Sequence, residues 1–423
     1  MRICIQRGAR EIGGSCIELE HDGQRLVLDI GLPLDDRLGE VGQLPPVDGL
    51  ATGNASLLGV VISHGHPDHY GLAPLVHASV PLYMGEATQR ILREAMFFTP
   101  GGADLAAEGY LADRRPLHIG PFTITPYLVD HSAFDAYALL VEAGGSRVFY
   151  SGDLRAHGRK GRLFERLLAN PPHDVDMLLL EGTNVRDQPA GSPVSERDVE
   201  ERCVQLFRET PGIVLANYPA QNIDRLVTLY RAAKRSRRVM VLDLYTATIA
   251  RATGLETIPQ AEWDGVRVYV PLAQRIKVKE SREFERTRWV RDHRIFAREL
   301  AQRAGGLVLT FRGSMSREVE RADCLHGAAA IWSMWGGYLD ESSGRKLRTW
   351  LEQRGIPLVE LHSSGHASVE DLQRLASAVR AAQVVPVHTR HSALFGGLFE
   401  NVKSIGDGAD FVDVLAKVEL RAR

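Results

Sequence analysis

Cysteine is scarce in this sequence, long apolar runs are missing, and charge of either sign is almost balanced. Four cysteines in 423 residues (Cys4, Cys16, Cys203 and Cys324) are too few and too scattered for a disulfide scaffold. They lack CxxC spacing, so the expectation is buried thiols in a reducing compartment. No stretch approaches the ~20 apolar residues of a membrane span. The N-terminus opens directly into an alternating strand pattern, without the charged and apolar regions of a signal peptide. A cytoplasmic protein that makes no use of a membrane is therefore expected. Lys+Arg 51 against Asp+Glu 53 leaves a net charge of -2, which argues against a histone-like polycation. A nucleic-acid enzyme stays open, because a phosphate-binding cleft needs only a few well-placed cations. A chain of this length usually divides into units of roughly 50–200 residues, so two or three are expected.

The first third reads as short strands closed by glycine, in MRICIQRG, SCIELEHDG and QRLVLDIG. Residues 57–63 form a strand that stops at a histidine-rich loop. A helix is expected from Leu72, a strand at PLYMG and a helix over 86–97. Strands follow at 122–129, 137–144, 147–153 and 176–184. Near residue 190 the exposed-looking DQPAGSPVSERD leads into a helix capped by Ser195. Strands and helices then alternate regularly, with helices near 222–236, 318–326 and 343–354 and a polar, arginine-rich, mostly helical region at 275–303. From 356 short strands return around PLVELHSSGH and VVPVH, with a helix near 369–380 between them. Neither an internal repeat nor a low-complexity tract is present. The reading is an α/β chain in which one domain interrupts another, with segments 1–190, 191–355 and 356–423.

HGHPDH at 64–69 is the strongest chemical signal, placing His64, His66, Asp68 and His69 directly after a strand. Imidazole and carboxylate suit zinc, manganese or iron. A lone histidine is more often a surface or structural residue, but four ligand-type residues in this order reverse that reading. Further candidates also follow strands: His131 in VDHS, Asp153 in SGD and His388 in PVHTRH. Each alone reads equally as a turn residue. Together they describe a dinuclear site, with His64, His66 and His131 on one metal, Asp68, His69 and His388 on the other, and Asp153 bridging. Asp29 in LDIG ends an earlier strand and would orient a ligand or water from behind.

In this chain order the motifs resemble the metallo-β-lactamase superfamily, and REIGGSC before LDIG adds to the likeness. More closely they resemble its β-CASP branch, and within it the bacterial and archaeal ribonuclease J group. The resemblance implies a metallo-β-lactamase αββα sandwich with an inserted α/β β-CASP domain. The 235 residues from Asp153 to His388 leave room for that insertion. It further implies Glu181 in LLLEGTN and His366 in SSGHAS as an acid–histidine pair, and Asn222 and Arg225 in ANYPAQNIDRL as nucleotide-facing candidates. Three features depart from the group. The chain ends 35 residues after His388, without the group's additional C-terminal domain; its phosphate loop is matched only by FRGSMSR at 311–317; and His69 is followed by Tyr70 and Gly71 instead of an aliphatic–glycine pair.

Two divalent ions, zinc first with manganese as the alternative, would polarise a scissile phosphate and lower the pKa of a bound water. Asp68 would help orient the nucleophile, and His366, oriented by Glu181, would protonate the leaving oxygen; a purely structural Glu–His pair is the competing reading. Ser364, and Arg312, Ser314 and Ser316 of FRGSMSR, are phosphate-binding candidates or else ordinary helix-cap residues. Residues 275–303 hold ten Lys/Arg and five Asp/Glu, and RAAKRSRR at 231–238 adds a basic run. Such runs are usually solvated helix faces, but over a metal site they could guide a single strand by its backbone. The resemblance implies a metal-dependent ribonuclease with 5′-to-3′ exonuclease and endonuclease activity, acting on single-stranded RNA and assembling as a homodimer. The alternatives are a β-CASP DNA nuclease, a small-ester or thioester hydrolase, and a catalytically weak RNA-binding or scaffold protein.

Overall fold

Alternation of side chains along the strands decides the layering in a computed structural model that describes residues 1–34, 43–100, 102–187 and 193–414. The chain divides into two compact units, Met1–Pro193 with Gly365–Arg423, and Val194–Ser364. The first unit holds β1 (Arg2–Arg7), β2 (Cys16–His21), β3 (Gln24–Leu28), β4 (Leu57–Val61), β5 (Leu82–Gly85), β6 (Ala107–Leu111), β7 (Leu117–Ile119), β8 (Phe122–Leu128), β9 (Tyr137–Ala143), β10 (Ser146–Tyr150) and β11 (Met177–Glu181). The second holds β12 (Val214–Asn217), β13 (Val239–Asp243), β14 (Val266–Tyr269), β15 (Leu307–Thr310), β16 (Ala329–Trp332) and β17 (Leu358–Glu360). The chain then returns to the first unit with β18 (Gln383–Val387) and β19 (Val412–Asp413).

In the first unit the strands form two sheets, ordered β19-β1-β2-β3-β4-β5-β6 and β18-β11-β10-β9-β8-β7. Leu139 and Val141 of β9 point into a core shared with Ile5, Leu26 and Leu28 of the other sheet. Their neighbours Ala138 and Leu140 point the opposite way, against Phe164 and Leu167 of the helix Gly161–Ala169 and Leu372 and Leu375 of the helix Val369–Val379. On the far face of the first sheet, Val27, Val60 and Met84 pack with Leu92 of the helix Glu86–Met96. The period of two thus gives each sheet one inter-sheet face and one helix-covered face. The result is an α/β sandwich consistent with the metallo-β-lactamase fold.

Six parallel strands make the second unit's sheet, ordered β14-β13-β15-β12-β16-β17. Its central strands are mostly apolar and buried, as expected where helices cover a parallel sheet. Ser195 caps the helix Glu196–Glu209 through a reciprocal capping box with Asp198. The strand in PLVEL, which reads from the sequence as the start of the completing segment, pairs with β16 and belongs to the second unit's sheet. The helix expected from Leu72 is only a short 3-10 turn over Ala73–Leu75. Pro67, favoured in a first helical turn, instead starts a helical turn inside the histidine motif at Pro67–Tyr70. All four cysteines are buried free thiols. No helix among the described residues is long and apolar enough to cross a membrane.

Candidate metal centre

Three neighbouring parallel strands bring much of the site together. β11 pairs with β10 on one side and β18 on the other, so Glu181 at the end of β11 and Asp153 and His388 just beyond β10 and β18 emerge along one edge. His64–His69 follows β4, His131 follows β8, and Asp29 directly follows β3. Backbone contacts hold the motif loop. Ser15 N donates to the Asp68 carbonyl, Ile30 N to that of His69 and Leu32 N to that of Pro67. Gly31 lies against this loop so closely that a Cβ there would fall 1.7 Å from the Asp68 carbonyl oxygen.

Ligand-type atoms of His64, His66 and His131 lie within 4.8 Å of one another, as do those of Asp68, His69, Asp153 and His388. Asp153 lies between the two sets: its Oδ2 is 3.7 Å from His64 Nε2 and 3.2 Å from His69 Nε2. His64 Nε2, His69 Nε2 and both Asp153 carboxylate oxygens are buried and make no hydrogen bond. Buried polar atoms left in this way are costly unless something binds them. A convergent set of imidazole and carboxylate atoms suits a divalent cation, so the donors present fit a two-metal centre.

The opposite ring nitrogens are held from behind. His131 Nδ1 donates to the Gly365 carbonyl at 2.6 Å, and His388 Nδ1 meets Thr183 Oγ1 at 2.9 Å. His69 Nδ1 meets Asp29 at 2.8 Å, and His64 Nδ1 meets Ser63 Oγ at 3.1 Å. Asp29 also accepts from Ser63 N, Ser63 Oγ and Tyr150 OH. Burial pushes His66 down to about 4 and holds His64 and His131 well below the ordinary imidazole value. These three rings are therefore neutral and able to bind a metal. Burial also opposes charge on Asp68 and Asp153, but neighbouring histidines outweigh it and keep both carboxyls below their usual range. His366 Nδ1 lies 3.2 Å from Glu181 Oε2. Burial disfavours its charged form, yet Glu181 and Asp153 raise it to about 9.

The remaining sequence candidates belong to the second unit. Asn222 caps the helix Ile223–Arg235 by accepting from Arg225 N. Arg225 was expected to face a nucleotide, but it is fully buried, with its guanidinium on Glu196, Ser333 and the Leu361 carbonyl. It is a structural residue of that unit. Arg312 pairs with Asp243 at 2.8 Å and lies over the Tyr245 ring. Ser314 is exposed in the 3-10 turn Gly313–Met315, and Ser316 opens the helix Ser316–Arg321. Ser364 is the last residue of the unit. In RAAKRSRR, Arg231 and Arg235 pair with Glu200 and Glu201, while Arg238 is buried against the carbonyls of Phe207, Thr210, Gly212 and Leu307. That run mainly braces helices. The sequence reading missed Ser63, Tyr150 and Thr183. Their only signal was a hydroxyl residue at or just beyond a strand end, within three residues of a ligand-type residue.

Residues 33–212 match the family model described as the beta-lactamase superfamily domain. The ribonuclease J of Mycoplasma pneumoniae is 23% identical over 97% of this chain and 71% of its own length. That of Mycoplasma genitalium is 23% identical over 90% of this chain and 66% of its own length, so the chain spans just under two thirds of that relative. A crystal structure of an Enterococcus faecalis V583 protein of unknown function superposes with a TM-score of 0.74 at 20% identity, covering 97% of this chain and 99% of that one. Residues 33–212 are thus similar to a beta-lactamase superfamily domain, and the clustered histidines and carboxylates support a metal-dependent hydrolase active site.

Proposed function

We propose that the protein is a metal-dependent ribonuclease that hydrolyses phosphodiester bonds of single-stranded RNA, with the second unit as a β-CASP insertion. The observation that carries this reading is the position of Asp153 between two ligand groups, with its own oxygens and two facing imidazole nitrogens making no hydrogen bond. The similarity to proteins named ribonuclease J supplies the substrate class. His64, His66 and His131 would hold one divalent ion, Asp68, His69 and His388 a second, and Asp153 would serve both; zinc is preferred and manganese is the alternative. Such ions supply Lewis acidity toward the phosphate and an activated water.

The protein's own groups would do the rest. His66 and Asp68 are the partly exposed members of the two groups, and a phosphate would approach on their side. With Nδ1 on Glu181, protonated His366 would donate from Nε2 to the departing oxygen. In the second unit, Arg312, Ser314, Ser316 and Ser364 remain phosphate candidates. Matched RNA and DNA strands, each with a 5′-phosphate or 5′-hydroxyl, test the proposal against an Asp153→Ala control. RNA cleavage that disappears with Asp153→Ala is expected, and His366→Ala should keep its metal while losing about 10²–10⁴ in turnover. Preferential DNA cleavage would favour the nuclease alternative, and metal-independent RNA cleavage would overturn the reading.

A further inference from the structure

We propose that Ser63 is a positioning residue through which the single carboxylate of Asp29 orients a histidine in each half of the metal centre. The inference rests on the two-metal reading above and assigns its support. Asp29 Oδ2 lies 2.8 Å from His69 Nδ1, 2.8 Å from Ser63 Oγ and 2.7 Å from Tyr150 OH. Its Oδ1 accepts from Ser63 N at 2.6 Å. Ser63 Oγ also lies 3.1 Å from His64 Nδ1. All five residues are buried.

Donor and acceptor chemistry sets the direction of this chain. An ionised carboxylate only accepts, so the Ser63 hydroxyl hydrogen goes to Asp29. Ser63 Oγ is then the acceptor for a hydrogen on His64 Nδ1. His69 Nδ1 must likewise carry a hydrogen to donate to Asp29. In the neutral state both rings therefore present an Nε2 lone pair, and these are two of the buried atoms without a hydrogen-bond partner. His64 belongs to the group with His66 and His131; His69 belongs to the group with Asp68, Asp153 and His388. His131 and His388 are instead held separately, by the Gly365 carbonyl and Thr183. Asp29 adopts a positive φ of 60°, a conformation unfavourable for a non-glycine residue, and its contacts with Ser63, His69 and Tyr150 hold it there.

The full chain, stripped of metal, is titrated with Zn²⁺ against a competing chelator, and the same is done for five variants. His131→Ala identifies the binding step of the first group and His388→Ala that of the second. Ser63→Ala is expected to weaken the first step by about 10-fold and leave the second within about 2-fold. Asp29→Asn is expected to weaken both by about 10-fold or more. Ser63→Thr, which keeps the hydroxyl, should bind like the unaltered protein. Thermal unfolding of each metal-free variant checks that it is folded; should Ser63→Ala not fold, the Asp29→Asn and Ser63→Thr arms decide. Equal steps in Ser63→Ala and the unaltered protein, or loss of only one step in Asp29→Asn, overturn the proposal. Fewer than two bound Zn²⁺ in the unaltered protein overturns the two-metal reading itself.

Discussion

At Arg225 a guanidinium with no solvent meets Glu196 at 2.8 Å, and the two charges neutralise each other inside the second unit. Removing one partner of such a pair leaves the other buried and charged, which generally costs about 3–5 kcal/mol. Arg225→Ala is accordingly expected to lower stability by that amount in denaturant unfolding. Asp243 has a related setting. Its side chain caps the helix Leu244–Ala252 and accepts from Arg312 and Gln274. Burial raises its pKa, but Arg312 and these hydrogen bonds outweigh that and lower it. A carboxyl depressed by folding contributes stability above its unfolded pKa, and that contribution is lost as pH falls through the folded value. The second unit should therefore lose stability at acid pH, and Asp243→Asn should be less stable at neutral pH with a weaker acid dependence. Thermal melts across pH 3–7, chosen to bracket roughly the ordinary carboxyl range, check this.

Elements place these residues by close backbone approach as much as by strand order. At Gly31 the backbone runs against the Asp68 carbonyl, leaving no volume for a side chain. Gly31→Ala is expected to displace the loop carrying Asp68 and His69 and to reduce metal uptake at least ~10-fold, read by Zn²⁺ titration of the folded variant. Much of this element pattern was legible. Apolar runs ending in His or Asp are a strong local signal, and the capping box at Ser195 is encoded within four residues. The strand Ala107–Leu111 was not legible, because AEGYL has no clear alternation and gains its place by pairing with β5. The helix Gly161–Ala169 starts without a side-chain cap and was also missed. That RAAKRSRR pairs with another helix was not legible either, because its partners Glu200 and Glu201 lie some thirty residues away in the chain.

For the whole molecule, a ligand that binds only the folded state adds to its stability by mass action. Chelation should lower the unfolding temperature of the first unit, and Zn²⁺ or Mn²⁺ should restore it. The difference would be about 4 kcal/mol at a free metal concentration a thousand times the dissociation constant. A melt unchanged by chelator, in protein verified to be metal-loaded, would contradict the centre drawn here. The sequence alone determined which ligand-type residues the chain carries and the order of the strands they follow, because residue type and period two are local properties. It also indicated an interruption between Asp153 and His388. Tertiary structure decided the rest: that β10, β11 and β18 lie side by side, that Asp29 reaches both His69 and Ser63, and that Arg225 turns inward to Glu196. Those outcomes depend on which distant segments share a sheet edge or a core, and local sequence pattern carries no record of that.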